Sequence, residues 1–163
     1  MQYTELARPP NRGALARFSR NESTLAKTFP SPKWSFEGTY ARIGELLASR
    51  VVVLERTAVP AGDDLVEAWG RAERALEGIL RDRYGLLIDV RAVKGRNDAD
   101  FETKFVPIRQ RIQKGFRRVA ILVNTPQGKL QAGRYAREDS LPNAVFDDYG
   151  AALKWLEEAT LRP

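Results

Sequence analysis

The stretch "GRNDADFE", which spans residues 95–102, brings an amide and three carboxylates together four residues after the apolar run "GLLIDV". If these side chains converged, they would offer oxygen ligands to calcium or magnesium. The stretch lacks the length and the central glycine of a calcium loop, and a magnesium site would also need substrate phosphates. A second interpretation pairs Asp98 with Asp89 for acid–base catalysis, provided that both line a cleft. The four ligand-type residues are Asn97, Asp98, Asp100 and Glu102.

The same residues have a structural interpretation as the beginning of a helix. Asn97 or Asp98 would accept hydrogen bonds from the free amide groups of the first turn. Asp100 and Glu102 would place negative charge at the positive end of the helix dipole. Phe101 would begin the buried stripe of the helix. We favour this capping interpretation, because nothing else in the sequence supplies a substrate pocket, and the two chemical interpretations remain as alternatives.

The composition argues against catalysis. Histidine and cysteine are both absent from the 163 residues. The chain therefore lacks the usual general base near neutral pH, the commonest metal ligand and any thiolate nucleophile. Catalysis would depend on Asp, Glu, Lys, Arg, Tyr or Ser. We predict that the protein is not an enzyme, with no catalytic residues, no cofactor and no metal site.

The apolar runs, such as "VVVL" and "GLLI", are short. They cannot span a bilayer, which requires about 20 consecutive apolar residues. The first residues, "MQYTELARPPNRGAL", contain no hydrophobic segment typical of a secretory signal. Together with the absence of cysteine, this predicts a cytoplasmic protein without a transmembrane segment.

Positive charge is concentrated in two zones. The net charge of the chain is +6, with 27 basic and 21 acidic residues. One zone is the start of the chain, and the other is "TKFVPIRQRIQKGFRR" (residues 103–118), which contains no acidic residue. Such zones attract nucleic acid, anionic lipid or an acidic protein surface. The simpler interpretation is a solvated helix face with basic side chains lying along apolar surface.

Residues 1–33 read as a basic N-terminal arm, followed by a domain over residues 34–163. The arm contains scattered Pro, Gly, Ser and Asn and shows no sustained hydrophobic period. We expect the segment from Leu25 to Trp34 to dock on the domain and the segment from Met1 to Arg20 to be mobile. The arm would offer its positive charge to an acidic surface, and a homo-oligomer through the arm is an alternative. Its basic residues in that segment are Arg8, Arg12, Arg17 and Arg20.

The domain alternates between strand and helix patterns. "GTYARIG" and "SRVVVLERT" predict an antiparallel pair, and a helix capped by Asp63 or Asp64 should then run to about Arg81. "YGLLIDV" is apolar enough for a central strand. It is followed by a second helix that contains Pro107, by the strand "RRVAILVNT", and by a third helix. The short strand "NAVF" and the last helix, "DDYGAALKWLEEA", complete the domain.

This order predicts an α/β sandwich with a four- to five-stranded, mostly parallel mixed sheet and about four helices. "GLLIDV" and "RVAILV" should be adjacent parallel strands, because a helix separates them along the chain. The third helix should begin at Thr125 as N-cap, with Pro126 in the first helical position.

Three stretches resemble the STAS domains, the sulfate-transporter and anti-sigma-factor-antagonist group, and especially their SpoIIAA-like relatives. They are "LLIDVRAVKGRNDADFE", "FRRVAILVNTPQG" and "AVFDDYGAALKWLEE". The resemblance implies a SpoIIAA-like sandwich and a regulatory module that binds other proteins. In the phospho-switch members, a Ser or Thr at the start of the second helix is phosphorylated beside an Asp, which Asp98 matches. Here no hydroxyl residue lies between Lys94 and Glu102, and Thr103 is the first, so we expect no regulatory phosphate on this segment.

We therefore predict a non-enzymatic regulatory or scaffolding module that recognises another protein, of bacterial signalling type. The alternative is electrostatic binding of nucleic acid or anionic lipid through the basic arm and the second helix. By resemblance, the contact surface would be the loop before the second helix and the exposed side of that helix. The candidate contact residues are Lys94, Arg96, Asn97, Asp98, Thr103 and Arg109.

Overall fold

The computed structural model describes residues 29–93 and 98–161. Within these residues the chain forms six β-strands and four α-helices. The strands are β1 (Lys33–Glu37), β2 (Ala41–Leu46), β3 (Val51–Arg56), β4 (Gly85–Asp89), β5 (Val119–Leu122) and β6 (Asn143–Phe146). The helices are α1 (Leu65–Ala75), α2 (Ala99–Gln113), α3 (Pro126–Glu138) and α4 (Tyr149–Thr160).

All six strands join one sheet in sequence order, β1-β2-β3-β4-β5-β6. The β1–β2 and β2–β3 pairs are antiparallel, and the three later pairs are parallel. The predicted fold class is confirmed, including the adjacent parallel strands β4 and β5. The sheet has one strand more than the four or five predicted, because β1 contains only two apolar residues, Trp34 and Phe36, directly after a proline-containing segment.

Strand β4 lies at the centre of the molecule, and all five of its residues are buried. Leu86 and Ile88 face the core under α1 and α2, whereas Leu87 faces the core under α4. Because both faces of this strand are covered, its sequence is a continuous apolar run rather than an alternating one.

Helix α1 is shorter than its sequence pattern predicts. It ends at Ala75 instead of near Arg81. Gly78 follows with a φ of +89°, a left-handed conformation that glycine adopts readily and that stops the helix. As a result, Leu80, expected on the buried face, is 58% exposed.

The first turn of α1 also differs in how it is capped. Asp64 occupies the N-cap position, but its side chain makes no hydrogen bond to the helix backbone. It accepts a hydrogen bond from the hydroxyl of Tyr40 on the neighbouring sheet instead. This bond connects the start of α1 to the sheet.

Helix α2 buries the predicted stripe against the same face of the sheet. Ile108 and Ile112 are buried, and the rings of Phe101 and Phe105 stack with centroids 5.0 Å apart. Pro107 lies inside the helix on its exposed side, so its ring faces solvent and not the core. The predicted Thr125 cap and Pro126 start of α3 are also confirmed.

Helix α4 covers the opposite face of the sheet through Ala152, Leu153 and Leu156. The ring of Phe29 packs on Tyr149 at 4.9 Å, so the end of the predicted docking segment contacts this layer. The basic residues Arg8, Arg12, Arg17 and Arg20 lie outside the described residues. In residues 29–93 and 98–161, no helix combines the length and the apolar character that a membrane span requires.

Candidate functional site

The carboxyl ends of the parallel strands β3, β4 and β5 meet at one edge of the sheet, here called the carboxyl edge. Helices α1, α2 and α3 each follow one of these strands and therefore begin near this edge. In open α/β sheets, ligands and partners commonly bind beyond the carboxyl ends of the strands. This position makes the carboxyl edge the first place to look for a functional site.

Asp98 caps α2, as the favoured interpretation predicts. Its carboxylate accepts a hydrogen bond from the backbone N–H of Phe101 at 3.0 Å. Asp100 and Glu102 lie in the first turn, where they complement the helix dipole. Within the part of the chain that the structure describes, no cluster of three or more acidic side chains could hold a metal ion. Asn97, the other proposed ligand and cap, lies outside that part.

The Asp89–Asp98 pair predicted as an alternative is not assembled. Asp89 is buried on the face covered by α4, and Arg91 engages its carboxylate with three side-chain hydrogen bonds of 3.0, 3.2 and 2.7 Å. The Asp89 carboxylate also accepts the Arg91 backbone N–H at 3.1 Å. Asp98 caps a helix on the other face, so the two carboxylates have separate structural roles.

Glu102 points into the contact between α2 and α3. The hydroxyl of Tyr135 donates a hydrogen bond to it, and Arg134 lies 3.5 Å from the same carboxylate oxygen. Burial raises the pKa of Tyr135, and the bond to Glu102 raises it further. The pair therefore fastens two helices together instead of presenting a carboxylate to a ligand.

Two of the predicted contact residues lie at the surface at the start of α2. Asp98 and Thr103 are both exposed. The Thr103 hydroxyl donates to the backbone oxygen of Ala99, one turn earlier, at 2.9 Å. Two others, Lys94 and Arg96, lie outside the described residues together with Asn97.

Arg109 is placed differently from its neighbours in the predicted contact set. It is 7% exposed, and its guanidinium makes two hydrogen bonds of 2.9 Å to Asp139 at the end of α3. The guanidinium also lies 3.9 Å from the ring centre of Tyr135. No sequence signal links Arg109 to a carboxylate 30 residues away, so its interior position could not be predicted.

The basic segment at residues 103–118 uses most of its charge internally. Arg111 bonds Glu73 at 2.8 Å. Arg117 donates to the backbone oxygens of Asp82 and Ala159, and Arg118 donates to that of Trp155. Arg109 and Arg111 are thus neutralised by acidic partners, whereas Arg117 and Arg118 hydrogen-bond to backbone carbonyl oxygens. Less positive charge is left on α2 for nucleic acid or lipid than the sequence suggests.

Two buried polar residues near the carboxyl edge are missing from the sequence-based site. They are Arg56, the last residue of β3, and Trp69 on α1. The sequence contains a signal for the burial of Arg56. This residue continues the alternating pattern of Val52 and Leu54, which face the α1 side of the core. An arginine in such a position is predicted to be buried, and buried arginines need a partner.

No family model matches the chain, and no curated protein matches it. Among solved structures, it is similar to an uncharacterised DUF3478-family protein with a SpoIIAA-like fold from Shewanella loihica PV-4. That match has a TM-score of 0.56 at 18% identity and covers 75% of this chain and 98% of the other. It is also similar to an anti-sigma-factor antagonist (STAS) domain protein from Planctomyces limnophilus, with a TM-score of 0.48 at 20% identity, covering 70% and 96%. The first match shows that the chain has a SpoIIAA-like fold, as the resemblance implies.

Proposed function

We propose that this SpoIIAA-like domain is a non-enzymatic regulatory or scaffolding module that recognises another protein at the start of α2. The observation that carries the proposal is the exposure of Asp98 and Thr103 on a helix whose opposite side is anchored by Ile108 and Ile112. A polar surface held on a rigid element needs little ordering when a partner binds, which favours recognition.

The chemistry available at this edge supports binding over catalysis. The carboxylates that suggested catalysis are already engaged: Asp98 by the α2 backbone, Asp89 by Arg91, and Glu102 by Tyr135. A general acid or base needs a group free to exchange a proton with a substrate. With no histidine or cysteine in the sequence to replace them, a binding role fits these residues better.

The contact surface that we propose follows the exposed side of α2 from its first turn. Arg109 is left out of it, because that residue is buried against Asp139. Recognition would proceed without a phosphate on residues 94–102, and Thr103 is the nearest acceptor. The exposed residues of α2 in this surface are Asp98, Asp100, Thr103, Lys104 and Pro107.

Purification of the tagged chain from its native cell, at low and at high salt, tests the proposal. The Thr103→Arg variant places a large charged side chain in the surface. Leu80→Arg is the matched control, because Leu80 is exposed and precedes β4, away from the carboxyl edge. We expect a protein partner that survives high salt with the wild type and with Leu80→Arg but is lost with Thr103→Arg.

Two results would contradict this function. Equal retention of the partner by Thr103→Arg would place recognition on another surface. Loss of every partner at high salt, with release of nucleic acid, would favour the electrostatic alternative, because phosphate contacts weaken steeply with salt.

A further inference from the structure

Arg56 is a buried cation without a carboxylate partner. It is 7% exposed, and its Nε donates a hydrogen bond of 2.9 Å to the backbone oxygen of Tyr40. In residues 29–93 and 98–161, no acidic side chain forms an ion pair with it. A buried charge is normally paired, because removing it from water is unfavourable unless an opposite charge replaces the solvent.

A second polar group beside Arg56 lacks any acceptor among the described residues. The indole Nε1 of Trp69 is buried and makes no hydrogen bond. The guanidinium carbon of Arg56 lies 5.5 Å from the centre of the Trp69 ring. Guanidinium and indole N–H groups only donate hydrogen bonds. Neither group can therefore satisfy the other, and the indole N–H has no acceptor among the described residues.

The carboxylate of Asp64 is engaged by another side chain. Asp64, at the start of α1, accepts a hydrogen bond from Tyr40, the residue whose carbonyl oxygen holds Arg56. Burial is the main cause of a lowered pKa for Arg56, which agrees with a guanidinium that is short of negative partners. The protein supplies a backbone carbonyl and an aromatic ring to this cation, but no anion.

The location favours a bound ligand. Arg56 ends β3 at the carboxyl edge, and Trp69 lies on the helix that follows this strand. The side chains packed around Trp69 are apolar, since Leu65 belongs to the same core cluster and the ring of Phe105 lies 5.5 Å from that of Trp69. Ligand sites commonly combine such apolar walls with a few convergent polar groups.

We propose that Arg56 and Trp69 bind the carboxylate group of a small, singly charged organic acid. The planar guanidinium presents paired N–H donors that match the two oxygens of a carboxylate, and the indole N–H adds a third donor. A dianionic phosphate fits less well, because it would bring one negative charge more than Arg56 neutralises. This site is independent of the protein-recognition surface proposed for α2.

The indole N–H of Trp69 is a direct probe of this site. The chain has three tryptophans, Trp34, Trp69 and Trp155, so a nitrogen-15 spectrum has three indole signals, and Trp69→Phe assigns the one of interest. Sodium acetate and sodium benzoate are titrated in place of sodium chloride at constant ionic strength. We expect a saturable shift of the Trp69 signal, with benzoate binding more tightly than acetate because of the apolar walls.

Substitutions connect the shift to Arg56. In Arg56→Gln we expect affinity for both acids to fall by at least about tenfold, the loss expected when a charge-assisted hydrogen bond is removed. Arg71→Gln is the control, because it removes an equal charge from α1 at a side chain that is 45% exposed. Its affinity should equal that of the wild type.

If Arg56→Gln does not fold, Arg56→Lys and Trp69→Phe are compared by the rise in melting temperature that benzoate produces. Both should show a smaller rise in melting temperature than the wild type. Arg56→Lys loses the planar guanidinium with its paired donors, and Trp69→Phe loses the indole N–H. The proposal is overturned if no saturable shift occurs, if the Arg56 variant responds like the wild type, or if phosphate or chloride acts as strongly as the two carboxylates.

Discussion

At the start of α2, the carboxylate of Asp98 caps the helix. It accepts the N–H of Phe101, and its own backbone oxygen accepts the N–H of Glu102. Two other helices begin in the same way, with Thr125 bonded to Gly128 and Asp148 bonded to Ala151. An exposed acidic residue at this position is therefore not by itself a sign of chemistry, although its surface remains open to a partner.

Replacing Asp98 by Ala should lower the free energy of unfolding by about 0.5–2 kcal/mol and leave the fold intact, because an N–H of the first turn loses its acceptor. Urea denaturation monitored by circular dichroism measures the change. Asp98→Asn is the control, since its amide oxygen also caps well, and it should stay near wild-type stability. An unchanged stability in Asp98→Ala together with lost partner binding would show that the residue acts in recognition and not as a cap.

Side chains with local partners could be predicted from the sequence, and side chains with distant partners could not. The caps at Asp98 and Thr125 depend on amides three residues away, so short patterns identify them. Arg109 depends on Asp139, and Glu102 on Tyr135, across a contact between two helices. Such pairs exist only once the helices have packed, so the sequence does not reveal that the basic segment has partners within the fold.

At the scale of elements, strand β1 depends on close approach to β2. A Cβ atom added to Gly44 would lie 2.8 Å from the backbone oxygen of Lys33 and 2.8 Å from Cε3 of Trp34. The absence of a side chain at Gly44 lets the Trp34 ring lie flat against the sheet, where Arg42 stacks 4.0 Å above its centre. Strand β1, which the sequence pattern does not predict, is therefore held in place by Gly44 and Arg42 of β2.

Gly44→Ala should displace β1 and lower the free energy of unfolding by about 1–3 kcal/mol, as expected for overpacking. Gly70→Ala is the matched control on α1, where the nearest atom to an added Cβ is 3.9 Å away. That change should raise stability by about 0.5–1 kcal/mol, because alanine favours the helix. Urea denaturation gives both values, and amide exchange in residues 33–37 should quicken only in Gly44→Ala. Equal effects of the two substitutions would refute the close-approach explanation.

For the whole molecule, the alternation of strands and helices was enough to predict the class of fold, because each apolar run needs a covering layer on its face of the sheet. The extra edge strand and the early end of α1 were missed, since a five-residue strand and a glycine stop are weak signals. The buried Arg56–Trp69 site was missed for another reason. It is formed by the end of a strand and the middle of a helix, which no spacing in the sequence relates.

Three tyrosines hold the layers together, and each is more difficult to ionise than a free tyrosine. Burial is the main cause of the raised pKa of Tyr149 and of Tyr135, and the charge of Asp89 adds to it for Tyr149. The hydrogen bond to Asp64 is the main cause for Tyr40. In each case the neutral phenol is the form that fits the folded protein.

These shifts predict a loss of stability in alkali. A raised pKa means that the folded state holds its protons to higher pH than the unfolded chain, whose tyrosines titrate near 10. The stabilisation is fully present below about pH 10 and is lost as the pH rises towards the folded pKa values. Urea denaturation over a pH series measures the loss, and the absorbance of the phenolate follows ionisation directly. Tyr149→Phe should make the loss shallower, because it removes one of these phenols. A stability that stays constant well above pH 10, or an unchanged slope in Tyr149→Phe, would show that the neutral phenols do not hold the layers together.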